Sequence, residues 1–255
     1  MKFYFRYLTL IFLFALHACS GKYYLKDTHT SQTRIKTDSL QLVDSVAIKM
    51  IIPYKQKLDA QMNEVIAVSD VDLVKERPDG NLCNLEADLI LAYANKNHEK
   101  PADLCVLNYG GIRVQSISKG NITLGKIYEL MPFDNMIEVI ELDGKTIRQF
   151  LDIVAKNGGW PVSGVKFKIN NMIAEDIFIK GEPLDLNKKY LLVTSDYISN
   201  GGDNVNLLKD QKRTPLNYKI RDAIIDQLRE MKSGNQNITT QKDGRITVVQ
   251  PEKIH

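Results

Sequence analysis

Leu107-Asn-Tyr-Gly-Gly-Ile-Arg113 is the stretch around which the chain is organised. Just before it, Asp103-Leu104-Cys105-Val106-Leu107 is an apolar run bounded by turn formers, the pattern of a short buried strand. Gly110 and Gly111 then permit φ values and close backbone approaches that a Cβ resists. Asn108 and Arg113 flank the turn. A strand ending in a Gly-rich turn, with an amide and a guanidinium beside it, offers a small-molecule site, although two glycines and an arginine also occur in ordinary turns.

A second stretch repeats the arrangement. Tyr190-Leu-Leu-Val-Thr-Ser-Asp196 reads as a strand and leads into Tyr197-Ile-Ser-Asn-Gly-Gly-Asp203, a turn carrying Gly201 and Gly202. Between the two lies the loop Met131-Pro-Phe-Asp-Asn135. Together these segments supply two aromatic faces (Phe133, Tyr197), a carboxylate (Asp203), a guanidinium (Arg113) and the amides Asn108 and Asn135. That set suits a nucleoside. Rings stack on a base, a carboxylate accepts from a ribose diol, and an arginine takes anionic oxygens.

Five blocks in this order resemble the C-terminal domain of 5′-nucleotidases: Asn108-Tyr-Gly-Gly-Ile-Arg113, Gly120-Asn-Ile-Thr-Leu-Gly125, Leu130-Met-Pro-Phe-Asp-Asn135, Leu142-Asp-Gly-Lys145 and Asn200-Gly-Gly-Asp203. The resemblance extends over residues 40–250. Strands mixed with amphipathic helices already give an α/β class; the resemblance implies a layered α/β sandwich around a mixed sheet. It also implies that Phe133 and Tyr197 sandwich a base, that Asn108 hydrogen-bonds to the base or orients it, and that Arg113 and Asp203 hold ribose or phosphate oxygens. Ser163-Gly164-Val165 corresponds to a Ser-Gly segment near the family's base pocket. Departures are Cys83 for a glycine, Tyr109 where a glycine is common, Tyr197 for a phenylalanine, and Asn204-Val205 where Gly-Phe usually follows the aspartate. Lys75 and Arg77 lie near a substrate-binding arginine of some relatives; solvated charges on a loop are the alternative.

The N-terminus reads as a targeting signal. Lys2 and Arg6 precede an apolar stretch from Tyr7 to Leu16, too short to span a bilayer comfortably. It ends in Leu16-His-Ala-Cys-Ser-Gly21, which resembles a bacterial lipobox with Cys19 as the lipidated residue. An ordinary signal is the alternative. The expected organisation is a lipoprotein signal peptide at 1–18, a flexible tether at 19–37 and the domain at 38–250, in an exported lipoprotein of the periplasm or outer membrane. Removing Lys2 and Arg6 lowers the formal charge of +3 to 3 − 2 = +1, which gives no electrostatic case for nucleic acid. Cys83 and Cys105 could bridge in an oxidising compartment, but inside apolar segments they read as buried thiols.

Asp38 or Ser39 could cap an amphipathic helix through Leu40, Val43, Ala47, Tyr54 and Leu58, kinked or split at Pro53. A strand at 64–69, a helix from Asn81, a turn at 120–123, a helix at 124–131 and a strand at 137–142 follow. Asp143-Gly144 reads as a tight turn before a helix at 146–155. Further strands are expected at 162–169, 177–180 and 244–249, and a helix at 217–231.

Full-length members of the family pair this domain with a metallophosphatase, whose dinuclear centre needs clustered His, Asp and Asn. The histidines here are His17, His29, His98 and His255, and His98 alone falls inside the domain. No Gly-x-Ser-x-Gly elbow or Walker loop replaces such a centre. The sequence therefore reads as a nucleotide- or nucleoside-recognising domain with no cofactor of its own. Two roles follow. Either it serves a split 5′-nucleotidase whose divalent metals sit in a separately encoded metallophosphatase, or it is a non-catalytic lipoprotein that captures the ligand.

Overall fold

The computed structural model describes residues 30–31 and 45–249. The signal, Cys19, nearly all of the tether and the Asp38/Ser39 cap lie outside them. Ser45–Met62 forms α1, which runs through Pro53 unsplit. Ile51, Ile52, Tyr54 and Leu58 are exposed on it, so the three-and-four spacing marks no buried stripe along this helix.

From there the chain forms β1 (Val65–Ser69), β2 (Leu73–Val74), α2 (Asn81–Asn97), β3 (Leu104–Val106), β4 (Ser116–Ile117) and β5 (Gly120–Thr123). Next come α3 (Leu124–Leu130), β6 (Met136–Asp143), α4 (Gly144–Lys156), β7 (Val162–Ser163), β8 (Val165–Asn170) and β9 (Ile173–Ile179). The remainder is β10 (Glu182–Pro183), β11 (Lys189–Ser195), α5 (Asp196–Ser199), β12 (Arg213–Lys219), α6 (Ile220–Ser233) and β13 (Ile246–Val248).

The main sheet is mixed, in the order β12-β6-β11-β3-β7, and a second sheet runs β10-β9-β8-β13. Both faces of the main sheet are buried, because successive side chains on its inner strands point to opposite sides. Cys105, Val139 and Val193 join one core with Leu82, Ile90, Ile224 and Leu228 of α2 and α6. Leu104, Ile140 and Leu192 join another with Phe150 and Leu151 of α4 and Phe167 and Ile179 of the second sheet. This is the mixed-sheet α/β sandwich expected. Trp160 is buried edge-on to Phe150 at 6.3 Å and serves packing.

Three local readings change. Gly120–Thr123 is a strand, paired antiparallel with β1 and burying Ile122; the Gly-Asn pair that suggested a turn only opens it. Asp143-Gly144 is no turn, because β6 passes directly into α4. The Asp143 carboxylate accepts from the Thr146 N–H at 2.7 Å and caps the helix, while a Cβ on Gly144 would collide with the Asp185 carbonyl. Residues 217–219 belong to a strand, with Lys219 opposite Met136 and Tyr218 stacked on Tyr93 at 4.9 Å, so the helix starts only at Ile220.

Cys83 and Cys105 are free and buried. Burial pushes the Cys83 thiol up to about 12 and raises that of Cys105. Beside them Glu86 is 2% exposed, neither carboxyl oxygen has a hydrogen-bond partner, and it lines a cavity of about 10 Å³ with Leu82, Leu89 and Ile224. Burial pushes its carboxyl up to about 8. The folded chain thus keeps a proton that the unfolded chain releases above about pH 4.3. Stability from this group is present at low pH, falls as pH rises towards about 8, and is level beyond. The neutral variant Glu86→Gln should lose that dependence. Melting curves from about pH 5 to about pH 8 should show the variant gaining on the wild type as pH rises; parallel curves would contradict the buried, protonated carboxyl.

Candidate functional site

β3 and β11 pair in parallel, with Leu192 opposite Leu104. β6 is antiparallel to β11, with Ile137 opposite Ser195. The segments after β3 and β11 and the segment before β6 therefore leave the sheet at one end. A crevice outside the carboxyl ends of strands is where open α/β sheets bind ligands. Here it is a cavity of about 310 Å³ lined by Asn108, Gly110, Gly111, Arg113, Phe133, Asn135, Tyr197 and Asp203. The structure thus brings together the six polar and aromatic residues singled out from the sequence, with the first glycine pair.

Asn108–Arg113 makes a single 3₁₀ turn over Tyr109–Gly111. Neither glycine has a positive φ. Smallness matters at Gly111, where a Cβ would press on the Asn108 amide and the Met131 methyl at 3.3 Å, whereas one on Gly110 would meet the same amide at an ordinary 3.4 Å contact. Tyr109 does not crowd the cavity. Its ring packs under Lys75 (4.1 Å) and Arg77 (3.9 Å), and Lys75 also donates to the Ile112 carbonyl at 2.8 Å. Those two cations are therefore braces of the turn, outside the cavity lining. Arg113 donates to the Gly110 carbonyl at 3.3 Å and lies 5.6 Å from the Phe133 ring. Among the described residues no carboxylate forms an ion pair with it, which leaves an exposed guanidinium for an anionic ligand.

At the end of β11, Ser195 accepts from the Ile198 N–H at 3.2 Å and caps the one-turn α5, which presents Tyr197 to solvent. Gly201 (φ 93°) and Asp203 (φ 50°) both adopt left-handed conformations; only for the aspartate is this costly. The Tyr197 hydroxyl offsets that cost. It donates to Asp203 Oδ1 at 3.1 Å and accepts from the Asp203 N–H at 3.3 Å. Gly201 and Gly202 shape this turn without lining the cavity.

Arg213 and Arg221 were not singled out from the sequence. Arg213 of β12 donates to Ser199 Oγ (3.0 Å), Asn200 Oδ1 (2.7 Å) and the Lys209 carbonyl (2.6 Å), bracing the segment that carries Asp203. Arg221 of α6 reaches the loop that carries Phe133, donating to the carbonyls of Met131 (3.4 Å) and Phe133 (3.2 Å) and to Asp134 Oδ1 (2.6 Å). Hydrogen bonds from Lys219, then from Arg221, hold the Asp134 carboxyl below the usual carboxylate range. Single arginines far along the chain carry no local signal of these contacts.

One implied residue set moves away. β7 is antiparallel to β3, with Ser163 opposite Cys105, so Gly164 lies at the opposite end of the sheet from Asn108. A Cβ there would collide with the Asp103 carbonyl, and Gly164 and Val165 line a different cavity with Lys166, Phe178 and Arg245. Among the described residues no group of three His, Cys, Asp or Glu side chains is placed to hold a metal ion, so these residues do not fit a dinuclear centre.

The family model "5′-nucleotidase, C-terminal domain" matches residues 64–210. The chain belongs to this family. It is 29% identical over 217 residues to an apyrase of Tabanus yao, covering 74% of this chain and 38% of that protein. A 5′-nucleotidase of Vibrio parahaemolyticus is 28% identical over 165 residues, covering 63% of this chain and 29% of that protein. The fold matches a 5′-nucleotidase precursor from Thermus thermophilus with a TM-score of 0.68 at 31% identity, over 82% of this chain and 44% of that one. The chain thus spans less than half the length of these relatives. Arg213 and Arg221 fall beyond the family-matched segment.

A Cβ on Gly202 would lie 2.5 Å from the Tyr197 ring. Gly202→Ala should therefore displace that ring, changing the tyrosine near-ultraviolet dichroism while the far-ultraviolet spectrum stays that of the wild type. Superimposable near-ultraviolet spectra would show that the turn absorbs the methyl elsewhere.

Proposed function

We propose that this domain recognises nucleotides or nucleosides for a split 5′-nucleotidase, the phosphate ester being hydrolysed by a separately encoded metallophosphatase that holds the divalent metals. The observation that carries this reading is the cavity at the end of the main sheet. It combines two half-exposed rings, two amides, a carboxylate and a guanidinium that has no carboxylate partner among the described residues. Family membership supports a nucleotide-related substrate-binding role.

In this reading the base stacks on Phe133 and Tyr197, and Asn108 and Asn135 meet its polar edges. Asp203, with Oδ1 held by the Tyr197 hydroxyl, turns its second oxygen to the ribose diol, and Arg113 takes phosphate oxygens. The lipobox-like segment ending at Cys19 would place the protein on a membrane surface outside the cytoplasm as a lipoprotein. A non-catalytic ligand-capture lipoprotein is the second reading, for which the same cavity would serve as the capture site.

Calorimetric titration with AMP tests the cavity. Arg113→Ala and Asp203→Ala should each weaken binding by about tenfold or more, tenfold corresponding to about 1.4 kcal/mol, the first at an unchanged melting temperature and the second with a small loss from its left-handed backbone but a folded protein. Unchanged affinity in both would sink the site. Phosphate release on adding a metallophosphatase encoded beside this chain would favour the split enzyme; tight binding with no release would favour capture.

The hydroxyl of Tyr197 gives a sharper test. Tyr197→Phe keeps the ring and frees Asp203, so the ratio of affinities for AMP and its 2′-deoxy analogue should fall towards one. An unaltered ratio would show that the hydroxyl does not orient Asp203 for the ribose.

A further inference from the structure

We infer that Arg221 is the positioning residue for Phe133: it fixes the stacking ring by holding the backbone of a loop to which it does not belong. The inference rests on the nucleotide-binding reading of the cavity. Met131–Asn135 lies between α3 and β6 and has no regular structure of its own. The acceptors of this loop are taken from one direction. Arg221 Nη1 reaches the Met131 and Phe133 carbonyls, Nη2 reaches Asp134, the Ile220 N–H reaches the Asn135 carbonyl at 2.9 Å, and Lys219 reaches Asp134 at 3.0 Å. All five contacts come from the junction of β12 with α6.

The chemistry of the guanidinium makes it the principal brace. It is 7% exposed, stacked on the Tyr128 ring at 4.5 Å, and its planar fork presents two nitrogens to three acceptors at once. Its Nε is buried without a hydrogen bond and has the Asp222 carboxylate at 3.8 Å, while the two Nη groups serve the loop. Phe133 cannot place itself. The residue is 39% exposed, so neighbouring side chains hold its ring only in part and its position leans on the backbone that carries it. A loop ordered before the ligand arrives spares binding the entropy of ordering it. A lysine at 221 would keep the charge but not the fork.

Backbone ¹⁵N relaxation in the ligand-free protein reads the brace directly. Arg221→Lys should lower the order parameters of Phe133, Asp134 and Asn135 from the rigid value of about 0.85 towards about 0.6 while β3, β6 and β11 stay as in the wild type. Asp134→Ala, made on an exposed side chain, should act in the same sense and serves if Arg221→Lys fails to fold. Arg213→Lys should lower the order parameters of residues 200–209 and leave 133–135 as they are. In AMP titrations, Arg221→Lys should weaken binding by about tenfold in the wild-type background and by less than about twofold in Phe133→Ala, because the two substitutions remove one contribution. Unchanged order parameters in 133–135, or an equal loss in both backgrounds, would overturn the assignment. If the wild type binds no AMP, the reading of the cavity fails instead, and the order parameters still decide whether Arg221 holds the loop.

Discussion

The parallel pairing of β3 with β11, with β6 antiparallel beside them, is the constraint on which the candidate site depends. It turns three segments far apart in sequence into neighbours at one end of one sheet. The pairing persists because both faces of these strands are covered by separate apolar cores, so a slip of one residue would exchange the occupants of the two cores. The precision of the cavity therefore comes from register, and the loops supply the chemistry.

Charge sorting complements that geometry. Arg213, Arg221 and Arg245 spend their guanidinium groups inside the fold, Arg245 on Asp88, Asp243 and the Val162 carbonyl. Arg113 is the contrast, since it sits at the rim of the cavity with a single backbone acceptor and a ring beneath it. A guanidinium left to solvent beside two half-exposed rings is the arrangement an anionic aromatic ligand would complete. Relatives bearing this domain are named as nucleotidases and an apyrase, and they are more than twice as long as the part matched here. In the proposed function, the chemistry on the substrate phosphate would be brought by a partner.

Much of this was legible in the sequence because its signals are local. Apolar runs ending in Gly-Gly turns located β3, β11 and their loops, and chemically distinctive side chains there and in the Met131–Asn135 loop before β6 marked Asn108, Arg113, Phe133, Asn135, Tyr197 and Asp203. What escaped was set at long range. β12 is a strand because it pairs with β6, not because its own Pro, Asn and Lys favour one. The same contact brings Arg221 to the Phe133 loop, which no spacing rule announces. Gly164 was misplaced because the direction of β7 decides which end of the sheet it occupies. The apolar spacing of α1 misled in another way, since periodicity reports a stripe and not whether anything covers it.

The most direct test of the central claim is a two-dimensional ¹H–¹⁵N NMR titration of the protein with AMP. The account predicts that amide shifts concentrate together in Asn108–Arg113, Phe133–Asn135 and Tyr197–Asp203 and saturate along one binding curve. Shifts centred on Gly164–Gly181, or none at saturating AMP, would contradict it.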